Sequence, residues 1–230
     1  MVTGNAAQLS FAKTAPSTPP VSRRTALFEI GCLLVCMELI MWLVPLIPNA
    51  RVAYAGLAML IIVLLAVTHL RDAASARELG FRFDNFLPTL LWISARLAPF
   101  VALLLLVGVT AHSLQFGARF YSMLAGVPLW ALLQQYMLFV FVHRRLRVVL
   151  GEGRRVVIVT ALLFALLHLP NPMLTVACAL AGFIWAQAYE RSPNLFANAL
   201  THTIASALIA NSLPHWLLKN MVVGTNHFFR

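Results

Sequence analysis

Apolar stretches of bilayer-spanning length recur along nearly the whole chain, and few folds accommodate them. In hydrocarbon every backbone N–H and C=O must find a partner inside the protein, which for runs of about 20 residues means helices. Spans are predicted near 26–46, 52–70, 88–112, 122–142, 155–169, 172–189 and 194–211. An eighth candidate, 213–224, is interrupted by Pro214, and at ~1.5 Å per residue it is short for a crossing. With 61% hydrophobic and 10% charged residues, the expected fold is all-α: one polytopic membrane bundle of seven to eight transmembrane helices over 26–225. Residues 1–25 are polar and rich in Pro, Ser and Thr, and are predicted to be a disordered cytoplasmic tail. The apolar run after Arg23 and Arg24 is too long for a signal peptide and lacks a small-residue cleavage site. It is read as a retained first helix.

A net charge of +10 invites a nucleic-acid partner, but the placement of the charges argues against one. With the N-terminus inside, cytoplasmic segments carry Lys13, Arg23, Arg24, Arg71, Arg77, Arg82, five arginines between Arg144 and Arg155, and Arg191. Up to the seventh span the opposite side carries only Arg51 and Arg119. This is the positive-inside pattern of an integral protein, placed here in a bacterial inner membrane with a cytoplasmic N-terminus. The expected partners are the lipid bilayer and a membrane-associated peptide or protein, with no nucleic acid. The segments 71–88 and 143–155 are read as cytoplasmic loops, the second a flexible turn against the headgroups. Cys32, Cys36 and Cys178 show no metal-ligand spacing.

Polar groups inside the spans carry the functional information, because each is costly unless it faces the bundle interior or a cavity. Asn194, Asn198, His202 and Ser206 recur every four residues and form one stripe on the seventh helix. Thr160, Phe164 and His168 share a face of the fifth, Gln134 and Gln135 sit together in the fourth, and Glu38 lies deep in the first. Counted from the cytoplasmic ends, Gln134 and His202 fall ~12 Å deep and His168 and Glu38 ~18–20 Å, so all four can meet in one layer. A histidine in a membrane helix is most often a packing residue that bonds a neighbouring helix. Two at similar depth with an amide pair argue for a site. Arg96 is either a snorkelling side chain or a partner for Glu38.

The stretch 164–206, from "FALLHLPNP" through "GFIWAQAYERSPNLFANALTHTIAS", resembles the CAAX-protease and bacteriocin-processing (CPBP) membrane proteins. That family includes the type II CAAX prenyl endopeptidases and lysostaphin-resistance-like proteins. Its pattern is a Glu-Glu pair followed by Arg, then Phe-x-x-x-His, then His-x-x-x-Asn. Phe164 and His168 match the second motif and His202 the third, with Ser206 where Asn is usual; "RELGFR" (77–82) resembles the family's connector. The likeness is strongest over 130–206. The first motif departs: Gln134 and Gln135 stand in place of the Glu pair and Phe139 in place of the Arg.

The resemblance implies an intramembrane endopeptidase whose candidate catalytic residues are Gln134, Gln135, His168 and His202. Phe164, Asn198 and Ser206 would bind substrate. A carboxamide keeps the shape and hydrogen bonds of a carboxylate but cannot take up a proton near neutral pH, and losing a general base costs ~10²–10⁴ in rate. The replacement base would be Glu38. A divalent metal, if one is used, would sit on His168 and His202, a weak donor set with neutral amides. The family pattern favours the peptidase. The alternatives are a non-catalytic relative that binds membrane peptides and, disfavoured by the absence of an inverted repeat, a small transporter.

Overall fold

The computed structural model describes residues 21–229, so the predicted tail lies outside the described residues as far as position 20. The first helix begins within the remainder of that tail. Ser22 accepts the backbone N–H of Thr25 and caps α1 (Arg23–Glu38), which runs on through a π-helical turn to Leu43 and a short 3-10 turn to Leu46. Then follow α2 (Arg51–Asp72) and α3 (Phe86–Thr110). Next come α4 (Ala118–Gly126) and α5 (Pro128–Gln135), the latter continued by a π-helical Tyr136–His143 into α6 (Arg144–Leu150). The chain ends with α7 (Arg154–Leu166), α8 (Pro172–Arg191), α9 (Leu195–Ser212) and the short α10 (His215–Leu218) and α11 (Asn226–Phe229). Asn171 and Asn194 cap α8 and α9 by accepting the N–H of Leu174 and Ala197.

The protein is an all-α integral membrane protein. Among the described residues four helical stretches are long and apolar enough to cross a bilayer, namely 23–46, α2, α3 and α8. A fifth exists if α4 and the 128–150 helix, bent 47° where Pro128 opens the second piece, form one broken span. The sequence expectation of seven to eight spans counts more than this. The 13-residue α7 reaches only ~20 Å at 1.5 Å per residue. Polar residues dilute α9, and 213–224 holds only one helical turn and a 3-10 turn.

The predicted loop 143–155 is corrected outright: helix continues to Leu150, and only 151–153 turn. The reason is burial of charge by pairing. Arg145 is buried and its guanidinium meets Glu29 (2.9 Å) and Asp72 (2.9 Å), while Arg71 pairs with the same two carboxylates. Four charges thereby fasten α1, α2 and α6 together. The connector 73–85 is likewise docked: Tyr189 donates to Leu79 O, Leu195 N to Gly80 O, and Asn194 to Arg82 O and Asn85 Oδ1. On its outer side Arg82 holds the exposed carboxyl of Asp84 down to about 2.

Candidate functional site

One cavity of ≈ 430 Å³ opens between α1, the 118–150 helix, α7, α8 and α9. Its lining is mainly apolar and unusually rich in methionine, with Met37, Met41, Met123, Met137 and Met221 all contributing. Methionine's unbranched, polarizable side chain adapts to irregular ligands. Four polar residues face the same space: Gln134, His168, His202 and Ser206.

Phe164 organises the histidines. Gly182 on α8 lets the Phe164 ring lie close, since a Cβ there would stand 3.1 Å from its Cδ1. The His168 and His202 rings are centred 4.8 and 5.9 Å from that phenyl, each edge to face. His168 Nδ1 donates to Phe164 O at 2.7 Å, which fixes the proton on Nδ1 and leaves the Nε2 lone pair free. His202 is packed against Trp185 and its Nδ1 lies 3.0 Å from Gln135 Nε2. With the amide donating, Nδ1 is the acceptor and the ring proton sits on Nε2. Gln135 is fully buried and its carbonyl oxygen has no partner among the described residues. Gln134 and Ser206 make no hydrogen bond among the described residues and are half-buried at the cavity wall.

The α9 stripe divides into four roles. Asn194 caps the helix and ties the connector, His202 meets Gln135, and Ser206 faces the cavity. Asn198 is wholly buried with neither amide atom hydrogen-bonded among the described residues, and it does not line the cavity. Glu38 is half-buried and neither lines the cavity nor bonds either histidine, although its neighbours Met37 and Met41 do line it. Arg96 does not pair with Glu38. Its guanidinium lies 3.5 Å over the Trp92 ring. Phe139 is buried and stacks on Tyr189 at 5.0 Å.

For a divalent metal the donor set does not fit. The cavity supplies two imidazoles and a carboxamide, and no group of three His, Cys, Asp or Glu suited to a metal occurs among the described residues. Sequence reasoning missed a second polar cluster. His143 is fully buried with Nδ1 2.9 Å from Thr160 Oγ1 and Nε2 2.8 Å from Glu190 Oε2, while Glu190 Oε1 accepts Gly153 N–H. Its only local signal is a histidine closing an apolar run at the edge of the segment that the sequence reads as a loop.

Residues 95–208 match the family model described as type II CAAX prenyl endopeptidase Rce1-like. No curated protein and no solved structure matches the chain. The matched stretch contains the glutamine pair, both cavity histidines, Phe164, Asn198 and Ser206, and leaves Glu38 outside. Residues 95–208, from within α3 to a turn before the end of α9, form an Rce1-like type II CAAX prenyl endopeptidase (CPBP) family domain.

Proposed function

We propose that this protein is a non-hydrolytic member of its family that holds a membrane-associated peptide in the methionine-rich cavity. The observation that carries this reading is that among the described residues no carboxylate lines the cavity, while His202 is partnered there by the carboxamide of Gln135. Hydrolysis of an amide needs a group that accepts a proton from water and returns it to the leaving amine. A carboxamide cannot take up that proton, and Glu38 stands off the wall. The imidazole of His168 is held by a backbone carbonyl, with no carboxylate beside it to stabilise the imidazolium that base catalysis would form. Binding asks less. The free Nε2 of His168 accepts a peptide N–H, Gln134 can both donate and accept, and the methionines cover apolar side chains of varied shape.

The same reading places the protein in a bacterial inner membrane with the N-terminus and the 144–155 segment cytoplasmic, supported by the alternation of Lys and Arg. In it α7 and α9 cross inside the bundle, where neighbouring helices rather than lipid meet their polar faces, bringing the spans to seven.

The test uses purified protein in lipid nanodiscs with a pool of labelled hydrophobic peptides. Wild type should capture peptides intact, and His168→Ala or Gln134→Leu should weaken capture ~5–10-fold, the effect of one lost hydrogen bond. Cleavage products from wild type that vanish in His168→Ala would overturn the proposal and restore a peptidase.

A further inference from the structure

The chain beyond α9 does not leave the bundle but folds back across the cavity. Met221 and Val223 from this segment contribute to the cavity wall. It is tied on both flanks. On one side Gly224 N donates to Leu169 O at 2.8 Å, immediately after His168, and Asn171 Nδ2 donates to Leu218 O at 2.7 Å. On the other, Thr225 N donates to Met41 O at 3.1 Å and Thr225 Oγ1 to Trp42 O. Those two carbonyls are available because α1 switches to π and then 3-10 winding over Leu39–Leu46, where Pro45 supplies no N–H.

Two properties set this segment apart from the helices around it. It contains three consecutive non-glycine residues in the left-handed region, Lys219, Asn220 and Met221 (φ 44°, 52° and 62°), followed by Gly224 at 59°. Such conformations are disfavoured for L-residues and persist only while other contacts hold them. Its polar attachment to the π-helical end of the first helix is the two Thr225 hydrogen bonds, beside the close packing of Gly224 on Met41 and the loose Trp42–Phe228 ring contact at 6.4 Å. A strained segment on few ties is the part of a structure that opens at least cost.

We infer that residues 213–229 form a latched cover over the cavity, with Thr225 as the latch on α1, and that a ligand enters when this latch releases. The inference concerns access and stands whether the cavity binds or cleaves. When Thr225 lets go, the segment pivots on its ties to Leu169 and Asn171, and the cavity opens on the α1 side, between Met41 and the pair Met221 and Val223.

The chain carries its own reporters. Cys178 is buried and lines the cavity, whereas Cys36 is equally buried in a separate core and does not line it. The full-length protein in nanodiscs is treated with N-ethylmaleimide, and modification of each cysteine is followed by peptide mass spectrometry. Thr225→Val deletes the hydroxyl and keeps the branched shape, and should speed labelling of Cys178 by ~5–10-fold with Cys36 unchanged. Thr225→Ser, which restores the hydroxyl, should return the wild-type rate. Equal acceleration at both cysteines would mean general loosening, and no acceleration at Cys178 would mean no latch. Either result, or failure of Thr225→Ser to restore the rate, overturns the inference.

Discussion

His143 and His202 are both buried imidazoles, yet the chain has surrounded them differently. His143 is satisfied on both ring nitrogens, by a hydroxyl and by the carboxylate of Glu190, and that carboxylate is itself fixed by a backbone N–H. His202 has a single carboxamide partner whose own oxygen is unpaired. The chain therefore possesses an imidazole–carboxylate pair of the kind acid–base chemistry employs, but keeps it off the cavity wall with both nitrogens engaged. Where the cavity lies, it has placed amides. The first arrangement holds helices in position, and the second leaves hydrogen-bonding capacity for something else to use.

Substitutions can break or sharpen this contrast. The largest effect is expected for His143→Leu, which strips Thr160 and Glu190 of their shared partner. Unfolding in detergent should become easier by ~2–3 kcal/mol, the cost of leaving buried polar groups unpaired, while peptide capture by the folded fraction is unchanged. Gln135→Leu should cost less, ~1–2 kcal/mol, because one bond is lost and an already unpaired oxygen goes with it. It should also weaken capture, since His202 is then free to reorient. Equal destabilisation by the two variants would erase the distinction drawn between the sites. The smallest change is expected for Asn198→Leu. With neither amide atom partnered, replacement by an apolar side chain of similar size should leave the unfolding midpoint within ~0.5 kcal/mol of wild type, or raise it. A loss above ~1 kcal/mol would give Asn198 a role in solution that its surroundings lack here.

Much of this was legible in the sequence because it depends on local periodicity. The four-residue stripe on α9 and the Phe164–His168 pair on α7 set the faces that meet at the cavity. What the sequence hid depends on partners far along the chain. Arg145 looks like a loop residue until Glu29 and Asp72, on two other helices, neutralise it. His143 and Glu190 are 47 positions apart and meet only because α7 and α8 fold back beside them. Glu38 shows the converse: depth along a helix can be counted, but the side on which a residue emerges depends on how that helix is rotated in the bundle. Residues 213–224 read as a short eighth span because Pro214 and the short apolar pieces around it say nothing of the carbonyls that the first helix leaves open to the segment.

The close approach of Gly182 to Phe164 has a consequence for how the pocket can be retuned. Both histidine rings lean on the same phenyl, so Phe164 acts as a shared spacer and Gly182 as the shim behind it. A single methyl at position 182 would push on the spacer from the rear and alter the gap between the imidazoles without touching any bound molecule. Variation at this buried seam between α7 and α8 thus offers a lineage, or an engineer, a way to change what the pocket accepts while every residue on its wall stays the same.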